Sequence, residues 1–120
     1  MSYSVSSSCL STFTSLTPNN QLLTITSLIP TMITWLNTPS NQALSTNIFN
    51  GGSSKWNTYI SSTGIIGITY PTLKIAILGK ITVDLSTWGN TQTYATFAAR
   101  CVDYINCLNI MKSTFTSLIE

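Results

Sequence analysis

The sequence has little charge and no histidine. Of its 120 residues, five are Lys or Arg and three are Asp or Glu, so charged residues make up 7% of the chain. Soluble proteins usually carry about 25%. An enzyme needs a nucleophile with a base, paired carboxylates or a set of metal ligands. The three acids, Asp84, Asp103 and Glu120, are scattered, and there is no CxxC motif. We therefore expect no enzymatic activity, no metal or cofactor, and no small-molecule substrate.

Long apolar runs are also missing. The most apolar stretch, Gly64 to Gly79, contains Pro71 and Lys74 and is shorter than the ~20 residues that a helix needs to cross a bilayer. The N-terminus lacks the basic residue and the apolar block of a secretory signal. We therefore expect neither a membrane span nor secretion. The positive mean hydropathy nevertheless keeps a small membrane-associated subunit as an alternative.

Hydroxyl side chains are abundant where charge is scarce. Ser and Thr make up close to a third of the residues, which predicts exposed faces covered with hydroxyl groups. Such faces repel one another weakly, which suits packing against copies of the same chain, although simple tolerance of this composition explains it equally well. The net charge of +2 argues against a strongly basic nucleic-acid footprint, but a few phosphate contacts repeated along a polymer remain compatible with it.

The three cysteines, Cys9, Cys101 and Cys107, are odd in number, and two of them fall on a predicted helix. Because no secretory signal is visible, we expect reduced and mostly buried thiols in an intracellular protein. The length of 120 residues corresponds to one domain, and no internal repeat or linker is visible. Residues 1–120 are therefore predicted to form a single domain.

The last quarter of the chain, Tyr94 to Glu120, carries the clearest helical pattern. Apolar residues recur there at steps of three and four, without Gly or Pro, which predicts one long amphipathic helix with a single apolar stripe. The members of the stripe are Tyr94, Phe97, Ala98, Cys101, Val102, Ile105, Leu108, Phe115, Leu118 and Ile119. The helical repeat places Arg100 and Asp103 on the same face, with Cys107 one turn further on. The simplest interpretation of this pair is an exposed ion pair that contributes about 0.3 to 0.5 kcal/mol.

Two Thr-Pro pairs, at positions 17–18 and 38–39, predict two helix starts, because Thr is a favourable N-cap and Pro suits the first helical position. The first helix would extend from Pro18 to Leu36 with a kink at Pro30, or would begin after that proline. The second would end at the glycines at positions 51 and 52. The short connection predicts an antiparallel hairpin.

The remaining segments give weaker signals. Ser2 to Ser15 is predicted to form a short helix or an ordered arm on the body of the protein. In the segment from Ser53 to Tyr70, Trp56, Tyr59 and Ile60 fit a helical turn, and Gly64 to Thr69 is predicted to be extended because its glycines resist a long helix. Pro71 to Leu85 suits a strand or a helix, and its periodicity does not decide between them. A turn is predicted at Trp88 to Asn90, before the final helix.

Three segments resemble one protein family. The segment AARCVDY (Ala98 to Tyr104) resembles the Ala-x-Arg-x-Val-Asp motif in the RNA-facing helix of the coat proteins of tobamovirus-like rod-shaped viruses. MSYSV (Met1 to Val5) is similar to the start of those proteins, and PTLKIAILG (Pro71 to Gly79) is similar to one of their helices. A Leu-rich helix after a Pro (Pro18 to Leu36) and an NQ-containing helix that closes on Phe49 also follow the order of those proteins, so the resemblance covers most of the chain. It favours a helix over a strand at Pro71 to Gly79.

The resemblance implies a fold and a function. The fold would be all-α, an elongated antiparallel four-helix bundle with a small loop and strand region at one end. Subunits would form a homo-oligomeric helical rod around single-stranded RNA, bound without sequence specificity near the inner radius. The protein would then belong to the virion, and to the host cytoplasm during assembly. A self-assembling filament protein without nucleic acid is the main alternative.

The resemblance also implies roles for individual residues. Arg100 would contact a phosphate, Asp103 would accept a hydrogen bond from a ribose or a base, and Cys107 would supply a small apolar contact. Lys80 would be a second phosphate contact, although a solvated surface lysine is an equally good interpretation. Gln42 falls where the family usually carries an Arg, so that contact would be weak or missing. The intersubunit carboxylate clusters of the family have no counterpart here, and a calcium and pH switch is therefore not predicted.

Overall fold

The computed structural model describes residues 2–43, 56, 59–60 and 73–120, and every regular element in these ranges is helical. The α-helices are α1 (Ser7–Thr14), α2 (Pro18–Leu23), α3 (Ile29–Leu36), α4 (Pro39–Gln42), α5 (Gly79–Asn90) and α6 (Phe97–Ile119). Two π-helical segments, π1 (Thr24–Leu28) and π2 (Lys74–Leu78), directly precede α3 and α5. The all-α prediction is confirmed for this part of the chain. The helical turn predicted at Trp56, Tyr59 and Ile60 is confirmed at those residues. The second predicted helix stops at Gln42 instead of continuing through Ala43. Its predicted end at positions 51 and 52 and the extended stretch predicted at positions 64–69 lie outside the described residues.

Three helices begin with hydroxyl caps. The Thr17 side chain accepts a hydrogen bond from the Asn20 amide at 3.3 Å and caps α2, as its Thr-Pro pair predicts. Ser6 caps α1 through the Cys9 amide at 3.1 Å, and Thr96 caps α6 through the Ala99 amide at 3.0 Å. A short helix near the N-terminus and a long one at the end of the sequence are therefore both confirmed. The long helix begins at Phe97, three residues later than predicted.

Pro30 lies within continuous helix, because π1 accommodates it. Proline has no backbone N–H and cannot complete an α-helical ladder. Just before it, the Ile29 amide donates to the Thr24 carbonyl five residues back, which is the π-helical pattern. Helical structure therefore continues from Pro18 to Leu36, and the alternative start after Pro30 does not occur. The second predicted start is also present, but Thr38 donates to the Thr34 carbonyl at 2.8 Å instead of capping α4.

Helix α6 is the centre of the core and packs against α1, α3, α4 and α5. Its buried residues are Phe97, Cys101, Tyr104, Cys107, Leu108, Met111 and Phe115. Phe115 stacks on Phe13 of α1 with ring centroids 4.0 Å apart and an interplanar angle of 5°. Both rings are fully buried, so this pair fixes α1 against the middle of the fold.

Two details of the sequence interpretation are wrong. Val102, Leu118 and Ile119 were predicted to lie on the buried stripe of α6, but their side chains are 61%, 49% and 41% exposed. The buried face of α6 includes Phe97, Cys101, Tyr104 and Phe115. Val102 lies outside this face. The turn predicted at Trp88 to Asn90 is also absent, since these residues form the last turn of α5. None of the described helices is long and apolar enough to cross a bilayer.

Candidate functional site around Arg100

The end of α5 meets the start of α6 at a group of polar and aromatic residues that includes the only Arg of the chain. We call this group the Arg100 cluster; its members are Trp88, Gly89, Tyr94, Arg100, Asp103 and Tyr104. The α5 members come from its last turn, Tyr94 precedes α6, and the others lie in the first two turns of α6. Helix packing thus brings Arg100 and Asp103 into the same cluster.

Arg100 is half-buried and its guanidinium is oriented by two tyrosines. Its Nε donates to the Tyr104 hydroxyl at 3.0 Å, an i to i+4 contact along α6. Its Cζ lies 5.1 Å from the ring centroid of Tyr104 and 5.3 Å from that of Tyr94. Each cation–π contact of this kind stabilises an exposed site by about 0.5 to 1 kcal/mol. The positive charge is therefore held in a defined orientation at the protein surface.

Asp103 accepts two side-chain hydrogen bonds within the subunit. Trp88 Nε1 donates to Asp103 Oδ2 at 2.8 Å, and the Tyr94 hydroxyl donates to the same oxygen. Burial raises the pKa of Tyr94 above its ordinary value, and the hydrogen bond to Asp103 raises it further. Asp103 thus positions the tyrosine whose ring lies against Arg100. Its predicted contact with a ribose or a base stays a prediction.

The other predicted site residues lie outside this cluster. Cys107 is fully buried in the core, where burial raises the pKa of its thiol to about 12, so its position does not fit the predicted contact with RNA. Gln42 is half-buried, and its Nε2 donates to the Leu36 carbonyl at 2.7 Å, which closes the end of α3. Lys80 is exposed on α5, nine residues before Gly89 and thus roughly 13 Å away along the helix axis.

The sequence interpretation missed the aromatic members of the cluster. Tyr104 was predictable in part, because an aromatic residue four positions after an Arg on a helix lies beside it. The edge of the Tyr104 ring also meets Trp56, with centroids 6.3 Å apart, and Trp56 lies 5.3 Å from Trp35 of α3. Aromatic contacts therefore connect the Arg100 cluster to α3, which no local pattern in the sequence indicates.

Gly89 allows the close approach of Arg100 and Tyr104. A Cβ atom at position 89 would lie 2.6 Å from the Tyr104 hydroxyl and 2.8 Å from Arg100 Nη2, both closer than real Cβ contacts. At Gly79, at the other end of the same helix, a Cβ atom would meet nothing within 4 Å. The two glycines lie on the same helix, but only Gly89 has side chains packed where a Cβ atom would be.

Replacing Gly89 with Ala is expected to lower the free energy of unfolding by about 1 to 2 kcal/mol, because Tyr104 and Arg100 must move to make room. Gly79→Ala is expected to raise it by about 0.5 to 1 kcal/mol, because Ala favours an unobstructed helix. Urea unfolding followed by circular dichroism measures both. Equal effects of the two substitutions would contradict the tight packing around Gly89.

A second feature lies where the N-terminal arm (residues 2–6) crosses α5. Asp84 is buried and accepts hydrogen bonds from the Tyr3 hydroxyl at 2.8 Å, the Ser6 amide at 3.0 Å and the Ser6 hydroxyl at 2.5 Å. The Tyr3 ring meets Trp88 edge-on, with centroids 5.8 Å apart. The arm is thereby attached to the helix that ends in the Arg100 cluster. A groove of about 380 Å³ lies between the arm and α5.

Comparison of the chain with protein-family models, curated proteins and solved structures found no match. In the part of the chain that the structure describes, no group of three His, Cys, Asp or Glu side chains is placed to hold a metal ion.

Proposed function

We propose that this chain is a coat subunit of a rod-shaped RNA virus, or a close derivative of one. It would polymerise into a helical rod around single-stranded RNA and bind the RNA without recognising its sequence. In this proposal the subunit is an elongated antiparallel four-helix bundle, located in the virion and in the host cytoplasm during assembly. The observation that carries the proposal is the oriented Arg100 guanidinium on the helix whose sequence resembles the RNA-facing helix of such coat proteins.

The orientation of Arg100 suits phosphate binding. A guanidinium presents several N–H donors in a rigid plane that matches the oxygens of a phosphate. Tyr94 and Tyr104 restrict its rotation before any ligand arrives, so that less side-chain entropy is lost on binding. One such contact per subunit is weak. A rod repeats it with every subunit along the RNA, and electrostatic contacts to the backbone do not depend on base sequence.

Exposed apolar side chains support the polymer part of the proposal. Val102 lies near the start of α6 and Leu118 near its end, sixteen residues and thus roughly 24 Å apart along the axis. Leu22 on α2 and Val83 on α5 are also more than half exposed. A subunit in a rod contacts neighbours on several sides, and apolar residues at separate places on the surface suit such contacts.

One observation favours a filament without nucleic acid. Asp103 accepts from Trp88 and Tyr94, and Arg100 donates to Tyr104, so the cluster also makes sense as a purely structural contact between α5 and α6. In that case the rods would form equally well without RNA and would contain none.

The test replaces Arg100 with Ala and measures the RNA that assembled protein protects from nuclease. We expect the variant to fold and assemble while the protected RNA per subunit falls at least tenfold, because the oriented phosphate contact is lost. Arg100→Lys should lose less, since it keeps the charge without the planar fork. Lys112→Ala, a cation on the same helix outside the cluster, is the control and should package normally. Normal packaging by Arg100→Ala, or wild-type rods with no RNA, would contradict RNA binding at this site.

A further inference from the structure

The groove between the N-terminal arm and α5 combines an apolar patch, formed by Tyr3, Val83 and Trp88, with Ser and Thr side chains and one exposed cation. Its lining includes Tyr3, Ser4, Lys80, Val83, Thr87 and Trp88. Val83 is 60% exposed although it is apolar. Asp84 also lines the groove, but it is buried and its oxygens accept from Tyr3 and Ser6. The charge that the groove presents to the outside is therefore that of Lys80.

The end of α6 has the complementary character. Leu118 and Ile119 are both exposed apolar residues, and Glu120 follows them directly. We call these three residues the α6 tip. Asp84 and Asp103, the other two acids of the chain, accept hydrogen bonds from side chains within the subunit. Glu120 is exposed, so the tip offers two aliphatic side chains followed by a carboxylate.

The α6 tip does not occupy the groove of its own molecule, because all three of its residues are exposed and none of them lines the groove. Trp88, at one end of the groove, donates to Asp103 on α6. Glu120 lies seventeen residues beyond Asp103, roughly 25 Å further along the axis. The groove and the tip are thus separate surfaces of one subunit, and each is available to another copy.

We propose that the groove binds the α6 tip of a second copy of this chain. Leu118 and Ile119 would pack against Val83 and Trp88, and the Glu120 carboxylate would lie beside the Lys80 ammonium group. The side chains of Leu118 and Ile119 have eight carbons between them. If each carbon occupies ~30 Å³, the share of one water molecule in the liquid, the two side chains fill roughly 240 Å³. This is less than the groove volume of about 380 Å³.

This contact joins two different surfaces, so a pair of subunits still has an unoccupied groove on one subunit and an unoccupied tip on the other. Each added subunit leaves one groove and one tip available, so the contact propagates into an open chain unless the rotation closes a ring. The inference rests on the self-assembly in the proposed function and specifies the contact that carries it. It does not depend on RNA.

The test exchanges the two charges between copies, in the absence of RNA. Lys80→Glu leaves a normal tip and an acidic groove, and Glu120→Lys leaves a normal groove and a basic tip. Each variant alone would place like charges together, and we expect the concentration at which polymers appear in sedimentation velocity to rise at least tenfold. Mixed in equal amounts, each tip meets a groove of opposite charge in the other variant, and polymerisation should return to within about threefold of the wild type.

Lys112→Glu is the matched control, because it makes the same charge change on α6 outside the groove and should polymerise like the wild type. Circular dichroism confirms that each variant is folded. Wild-type polymerisation by both single variants, or failure of their mixture, would overturn the proposed contact while leaving self-assembly intact. A wild-type chain that stays monomeric at all concentrations would overturn both this contact and the assembly in the proposed function.

Discussion

Replacing Asp84 with Ala is expected to lower the free energy of unfolding by about 3 kcal/mol. The substitution leaves the Tyr3 hydroxyl, the Ser6 amide and the Ser6 hydroxyl without their acceptor, and an orphaned buried donor costs about 1 to 3 kcal/mol. Water can solvate the more exposed Ser6 groups, which keeps the total below the sum of three such costs. Urea unfolding measures the effect, and hydrogen exchange of the α1 amides should show earlier opening of that helix.

Two controls separate the lost acceptor from a general effect on α5. Asp84→Asn keeps one acceptor oxygen and should cost about half as much. Ser86→Ala changes an exposed position on the same helix and should stay within about 0.5 kcal/mol of the wild type. If Asp84→Ala unfolded at the wild-type urea concentration, the contact between Asp84 and the arm would contribute nothing to stability.

Raising the pH above about 9 is expected to destabilise the protein steeply. Burial raises the pKa of the Cys9 thiol to about 12, that of Cys101 to about 11 and that of Cys107 to about 12, from an ordinary value of 9.0. Between pH 9 and 11 the unfolded chain therefore loses thiol protons that the folded chain keeps. The unfolded state binds fewer protons, so stability falls as pH rises, by up to about 1.4 kcal/mol per pH unit for each thiol.

The three thiols together give a slope of up to about 4 kcal/mol per pH unit, a large part of the 5 to 15 kcal/mol that stabilises a typical domain. Denaturant unfolding at pH 8.0 to 10.0 measures this slope before most tyrosines of the unfolded chain ionise. Cys101→Ala should reduce the slope by about one third. A stability that is flat across this range would show that the thiols titrate normally and are not buried.

Local patterns were sufficient to predict a good part of the helical structure. Thr17 and Pro18 start α2 as their types indicate, and the absence of Gly and Pro after Tyr94 correctly predicted one long helix. Helical spacing also predicted that Arg100 and Asp103 lie close together on α6, and both belong to the Arg100 cluster. These features depend on residues a few positions apart, which a sequence displays directly.

Features that depend on distant parts of the chain were not predictable. Asp84 contacts Tyr3 across 81 positions and Ser6 across 78, and nothing in the sequence around Asp84 marks it as a buried acceptor. Trp88 reaches Asp103 only because α5 packs against α6. The exposure of Val102 shows the same limit, because spacing predicts which residues share a face but not which face the neighbouring helices cover.

The two π-helical segments have a consequence for how this chain compares with relatives. A π turn holds about one residue more than an α turn, so π1 corresponds to a single-residue insertion within a helix. Because the wide turn absorbs the extra residue, α3 keeps the orientation that it would have without it, and each later residue takes the place of its neighbour, about 100° around the helix. If an evolutionary relative lacked the insertion, its sequence would align with this chain before Thr24 and, with an offset of one residue, again after Leu28. Ungapped alignment through π1 would pair buried positions of one protein with exposed positions of the other.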